Sequence, residues 1–183
     1  MQTFINLLTI SRLILGAIIF ILLMSPGGYI LALVLFLIAG VTDFFDGYLA
    51  RKYNFVSEVG EVLDPIADKI LILFTLFGLA VNLSSYLIGF IGATIITREI
   101  WVSALRNLNA INANSSATQV NFIAKIKTAV QIFTISMYLF GLSINNMLVL
   151  VIADIFLVIS LIITLYTGFH YTVNTFSKNG NSK

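Results

Sequence analysis

Apolar residues fill this chain in long runs, and short polar breaks interrupt the runs at regular intervals. A bilayer core takes about 20 mostly apolar residues per helix. On that ruler six spans are predicted, near 5–24, 29–50, 60–83, 86–105, 122–142 and 147–170. The breaks are turn-like: Ser25 to Gly28 reads SPGG, Ser84-Ser85 and Ser143 to Asn146 are short and polar, and a longer polar loop starts at Arg106. Backbone groups in lipid must pair within their own segment, so runs of this length are expected to be helices. The pattern predicts an all-α integral membrane protein. Residues 1–172 would form one six-helix domain and 173–183 a polar cytoplasmic tail.

Composition agrees. Of 183 residues, 59% are hydrophobic and only 10% charged, against about 25% charged in soluble domains; mean hydropathy is +1.02. Cysteine is absent, which excludes disulfides and thiolate metal sites. Arg12 inside the first apolar run, with no basic stretch before it, argues against a cleaved signal peptide. The placement of charge is more informative than its sum. The turns after spans one, three and five hold no Lys or Arg, whereas Arg51, Lys52, Arg106, Lys178 and Lys183 follow the even spans. Positive loops face the cytoplasm, so a cell (inner) membrane protein with both termini cytoplasmic is expected. Arg12, Arg98, Lys125 and Lys127 then fall in the cytoplasmic half, with Asp154 nearer the outer half. The spans are expected to enclose a polar cavity open to the cytoplasm.

Four aspartates stand out against this background: Asp43, Asp46, Asp64 and Asp68. At about 100° per residue, Asp46, Gly47, Ala50 and Arg51 all lie within roughly 80° of Asp43 on span two. Asp64 and Asp68 are one turn apart on span three, roughly 6 Å along the axis. A short loop joins these spans, which would make them antiparallel neighbours and bring the two carboxylate pairs together. Carboxylates so close repel unless cations lie among them. An oxygen-only donor set suits Mg2+, Mn2+ or Ca2+ rather than Zn2+. Four such groups can hold two ions about 3.5–4 Å apart, the spacing that clamps a phosphoryl centre. Gly47 and Ala50 keep the helix face low, and Arg51 offers a planar donor fork for phosphate. Each of these three has a plainer use, as packing contact or interfacial anchor; their combined spacing favours a nucleoside diphosphate site.

The full pattern, D-x-x-D-G-x-x-A-R, eight residues, then G-x-x-x-D-x-x-x-D, resembles the signature of the CDP-alcohol phosphotransferase family at Asp43, Asp46, Gly47, Ala50, Arg51, Gly60, Asp64 and Asp68. The resemblance implies that the four aspartates bind two divalent ions, Mg2+ or Mn2+, bridging a CDP diphosphate, and that Asp68 also acts as general base. It implies that Gly47, Ala50 and Gly60 line the cytidine pocket and that Arg51 holds the diphosphate. The opening NLLTISR is also similar to the family and would bring Asn6 and Thr9 to the CDP site. It further implies a homodimer.

A second polar cluster bears on the acceptor. Arg98, Arg106, Lys125 and Lys127 sit at the cytoplasmic ends of spans four and five, where cations are costly unless something anionic visits. An acceptor carrying its own phosphate accounts for them. The segments TREIWVSALR and AKIKTAVQ resemble family members that join CDP-diacylglycerol to glycerol 3-phosphate. Two positions depart from that pattern, Ile5 for the usual Pro and Ala124 for the usual Gly. Arg98 and Arg106 are about 12 Å apart along a helix, and Lys125 and Lys127 point about 160° apart, so one of the lysines is expected to snorkel. Rival readings are the same chemistry on serine, inositol phosphate or phosphatidylglycerol. From other classes come a divalent-cation transporter, which would want polar residues through the full membrane thickness, and an intramembrane aspartyl protease, which would want two aspartates.

Overall fold

The computed structural model describes the backbone of residues 2–53, 58–111 and 122–179, and within them the side chains of 10–42, 66–67, 69–109 and 126–177. These residues form six helices: α1 (Gln2–Met24), α2 (Tyr29–Tyr53), α3 (Glu58–Asn82), α4 (Tyr86–Ile111), α5 (Phe122–Ser143) and α6 (Met147–Asn179). Each begins within three residues of its predicted start. Among the described residues, Tyr86–Asn109, Ile126–Ser143 and Met147–Ser177 are long and apolar enough to cross a membrane; Ile10–Met24, Tyr29–Thr42 and Lys69–Asn82 are shorter apolar helices. Large apolar side chains on the outer surface, such as Ile14, Phe90, Ile155, Ile162 and Phe169, are exposed, as in a membrane protein.

The polar breaks read from sequence make sharp reversals. Gly27 takes a left-handed φ of 85° in the first turn, while Ser84 and Asn145 do so at 49° and 50° in the other two. After α3, the Ser84 amide donates to the Val81 carbonyl at 3.2 Å and the Ser85 amide to Ala80 at 2.9 Å. After α5, Asn145 donates to Leu142 at 3.3 Å and Asn146 to Gly141 at 3.0 Å. Both sets close the helix end with the paired bonds of a Schellman cap. The next residue starts the following helix: Ser85 Oγ accepts from the Ile88 amide, and Asn146 Oδ1 from the Leu148 amide, as N-caps do. Two adjacent polar residues thus stop one helix and start the next in the hairpins α3–α4 and α5–α6, and the Ser25–Gly28 turn, with its left-handed Gly27, makes the hairpin α1–α2.

The hairpins assemble into a ring in which neighbours run α1, α2, α5, α6, α4, α3 and back to α1, with a slight approach of α3 to α5 across it. The most extensive packing is α1 on α3. A Cβ at Gly16 would stand 3.3 Å from the Leu71 backbone, so glycine sets how closely these helices approach. Phe20 stacks on Phe77 with centroids 5.7 Å apart. Asn82 Nδ2 donates to the Leu23 carbonyl at 2.7 Å, tying α3 to the end of α1. The core continues through Leu79, Ile91, Ile135, Leu139 and Leu157, all buried.

One feature differs from the sequence expectation, and another falls outside the described residues. Among the described residues α2 and α3 each pack on α1 and not on one another; the ends joined by the short connection, where the aspartates are expected to meet, lie outside the described side chains. The helices α4 and α6 also run past 105 and 170, so α6 extends into the stretch read as a tail. The reason is a polar seam between them: Trp101 Nε1 donates to Thr172 Oγ1 at 3.0 Å, and Asn109 Nδ2 to Thr175 Oγ1 at 3.0 Å. Each helix stabilises the other beyond the point where apolar character ends.

Replacing Gly16 with Val should cost about 1–3 kcal/mol by overpacking against Leu71. Replacing Gly40, whose added Cβ would meet no described atom within 4 Å, with Ala should be neutral or slightly stabilising. Thermal unfolding in detergent compares the two.

Candidate functional site

Helices α4 and α5 do not pack on one another among the described residues, although both border α3. Between the three helices lies a cavity of about 190 Å3. Lys69 reaches it from α3, Glu99, Ser103 and Arg106 from α4, and Lys127 and Gln131 from α5. Ile72 and Ile95 line part of its wall. The spacing explains which residues arrive there. Ser103 and Arg106 follow Glu99 at i+4 and i+7 along one face of α4, and Gln131 follows Lys127 by one turn on α5.

The electrostatic centre is Glu99. Its Oε1 accepts from Lys127 Nζ across the gap and from Arg98 Nη1 at 3.0 Å. Lys127 is buried, and a buried ammonium needs both a counter-charge and good hydrogen bonds. Arg98 points the other way: Nη2 donates to Thr167 Oγ1 of α6 at 2.7 Å. Lys69 Nζ donates to Ser103 Oγ, linking α3 to α4. Gln131 Nε2 donates to Thr164 Oγ1 at 3.2 Å, and the Arg106 guanidinium carbon lies 5.9 Å from the centre of the Tyr171 ring, within cation–π range. Among the described residues the cavity wall carries three cations (Lys69, Arg106, Lys127) against one carboxylate (Glu99). Such a wall suits a small dianion.

Of the four cations read from sequence, the structure brings Arg106 and Lys127 to this cavity. Arg98 lies beside it in the α4–α6 seam, and the side chain of Lys125 falls outside the described residues. So do the side chains of Asp43, Asp46, Asp64, Asp68, Gly47, Ala50, Arg51, Gly60, Asn6 and Thr9. Their helices are described: Asp43 and Asp46 lie on α2, Asp64 and Asp68 on α3. Asp68 immediately precedes Lys69 and stands one turn before Ile72, both of which line the cavity. Among the described residues no three acidic or imidazole side chains gather as a metal site. The donor chemistry of the four aspartates, all hard oxygen in pairs one turn apart on helices, fits Mg2+ or Mn2+. In the far half, Tyr138 donates to Asp154 Oδ1 at 2.5 Å, a local pair that satisfies that carboxylate.

Sequence reasoning missed the partners of Glu99 and the part played by α6. Gly168 and Thr167 carried one signal: a glycine inside a long apolar helix costs about 1 kcal/mol relative to Ala and usually has a packing reason.

A double-mutant cycle of Glu99→Gln and Lys127→Met should give a coupling of about 1–3 kcal/mol in unfolding free energy. The single Glu99→Gln change, which strands two cations, should destabilise more than the double.

Residues 3–166 match the CDP-alcohol phosphatidyltransferase family. The chain is 39% identical over 171 residues to the CDP-diacylglycerol–glycerol-3-phosphate 3-phosphatidyltransferase of Rickettsia bellii, covering 91% of each chain. It is 35% identical over 170 residues to the protein of the same name from Rickettsia typhi, covering 91% of this chain and 93% of the relative. A third relative with that name, from Salmonella typhimurium, is 35% identical over 133 residues, covering 72% and 73%.

Proposed function

The chain belongs to the CDP-alcohol phosphatidyltransferase family, and on that footing we propose that it transfers the phosphatidyl group of CDP-diacylglycerol to glycerol 3-phosphate, giving phosphatidylglycerophosphate and CMP. The observation that carries the acceptor assignment is the cationic cavity of α3, α4 and α5, whose wall begins one residue after Asp68. The excess of positive charge among its described residues suits a phosphate monoester, which carries nearly two negative charges at neutral pH. Serine, a zwitterion of no net charge, gives such a wall nothing to neutralise.

In this reading Arg106 and Lys127, joined by Lys125, receive the acceptor phosphate and hold the glycerol with a hydroxyl toward Asp68. Arg98 acts from the second layer through Glu99. Asp43, Asp46, Asp64 and Asp68 would hold two divalent ions, which when bound neutralise the diphosphate and the leaving CMP. Gly47, Ala50 and Gly60 admit the cytidine against the backbone, Arg51 pairs with the diphosphate, and Asn6 and Thr9 on α1 complete that pocket. The acceptor oxygen bonds to the β-phosphorus as the bond to the CMP oxygen breaks, and the hydroxyl proton passes to the Asp68 carboxylate. A carboxylate that also holds ions would be a weak base, but it needs to accept only as the oxygen bonds to phosphorus and its proton becomes acidic.

The setting extends the same reading. All six helices would span a cell membrane with both termini cytoplasmic, and the site would open to the cytoplasm while acyl chains enter sideways from lipid. The apolar outer faces leave room for a second copy, as in a homodimer. The absence of loop cations after α1, α3 and α5 supports this orientation.

Purified protein given CDP-diacylglycerol, Mg2+ or Mn2+ and a panel of acceptors should release CMP only with glycerol 3-phosphate. Chelating the metal should stop release, and Asp68→Asn should lower kcat by about 10²-fold or more. Release with serine or an inositol phosphate instead would overturn the acceptor assignment. No release with any acceptor would overturn the reaction.

A further inference from the structure

A chain of contacts leads from α6 to the cavity through residues that do not themselves touch it. A Cβ at Gly168 would stand 2.9 Å from both Cγ and Nε of Arg98. The glycine is therefore a notch in which the arginine stem lies against the α6 backbone. Beside the notch, Thr167 Oγ1 accepts from Arg98 Nη2 at 2.7 Å. The other guanidinium nitrogen, Nη1, donates to Glu99 Oε1 at 3.0 Å, and that same oxygen accepts from Lys127 Nζ. Glu99 and Lys127 line the cavity; Gly168, Thr167 and Arg98 do not.

We propose that Gly168, Thr167 and Arg98 are positioning residues that, by fixing the Glu99 carboxylate, set where the Lys127 ammonium meets the phosphate of the acceptor. This rests on the reading of the cavity as the acceptor site. A lysine ammonium is a point charge on a flexible stem, so its counter-ion decides where it stands. Lys127 lies on α5, which does not pack on α4 among the described residues, and its described hold on α4 runs through one carboxylate oxygen. Arg98 holds that oxygen from the other side and takes part of its charge. With Arg98 displaced, the carboxylate turns wholly to Lys127 and competes with the incoming phosphate for it. The rigid element behind this arrangement is α6, since the notch and the hydroxyl both belong to its backbone turn.

The test uses the full chain in detergent with CDP-diacylglycerol and glycerol 3-phosphate. Gly168→Ala pushes Arg98 from its seat and alters no cavity residue; Thr167→Val removes the hydroxyl and leaves the notch open. Weakening one charge-assisted hydrogen bond corresponds to about a tenfold change at most sites of this kind. Gly168→Ala should therefore raise KM for glycerol 3-phosphate roughly threefold to tenfold, and Thr167→Val by a smaller factor. Competitive inhibition by inorganic phosphate should weaken by the same factor in each variant. The kcat and the KM for CDP-diacylglycerol should stay within about twofold, and the thermal midpoint should fall by no more than a few degrees. If acceptor KM and phosphate inhibition hold at wild-type values in the folded variants, the proposal falls. It falls equally if kcat, both KM values and the midpoint move together, the mark of a merely structural role. Should Gly168→Ala not fold, Thr167→Val decides by the same readouts. A wild type that makes no CMP with glycerol 3-phosphate overturns the acceptor reading on which the proposal stands, and is recognised before any variant is assayed.

Discussion

A cation placed inside a membrane helix must be met by a counter-charge, by water or by a visiting anion, and the arrangement of α4, α5 and α6 follows from that requirement. Lys127 is buried on α5 and finds Glu99 across a gap that the backbones leave open. Glu99 in turn shares its carboxylate with Arg98, and Arg98 is braced against α6. Had apolar side chains filled this space, α4 and α5 would have closed on each other and no cavity would remain. Paired charges hold the helices at a distance while remaining attractive, which tight apolar packing cannot do.

The opposite principle governs the other side of the ring. There α1 and α3 approach until the Cα of Leu71 meets the open face of Gly16, and phenylalanines interlock around the contact. This pair gives the molecule a dense, inert flank. A fold that needs one compliant polar chamber gains from having its most rigid contact adjacent, because α3 belongs to both: Leu71 packs on α1 and Ile72, one residue on, faces the chamber.

How much of this was legible depended on the range of the interaction. The tandem polar residues Ser84-Ser85 and Asn145-Asn146 announced their reversals, because capping is local and written in adjacent positions. The register of Asp43 with Asp46, and of Asp64 with Asp68, followed from helical periodicity alone. The convergence of those side chains lies outside the described residues. Partner choice was not legible. Glu99 had several cations within reach along the chain, and only the tertiary arrangement, with Lys127 reaching across the cavity from α5 and Arg98 braced by Thr167 of α6, gives it the partners it has. Among the described residues α2 and α3 meet α1 and not each other, and the ends that the short loop joins lie outside the described side chains. The length of α6 escaped because Thr172 and Thr175 look like tail residues until α4 supplies Trp101 and Asn109.

The ring order also has a consequence for how such a molecule is made. A ribosome delivers the hairpins in sequence, and the first two can settle beside each other through α1 and α3 while the third is still being synthesised. At that stage Glu99 and Arg98 have only each other and Asn109 lacks its threonine, since Lys127, Thr167 and Thr175 all belong to the last hairpin. The half-built protein therefore displays incompletely paired polar groups on one open edge. Arrival of α5 and α6 covers that edge and creates the cavity in one event, so the molecule acquires its working chamber only on completion. An unfinished chain would carry a visible chemical flag for the cell's quality-control proteases.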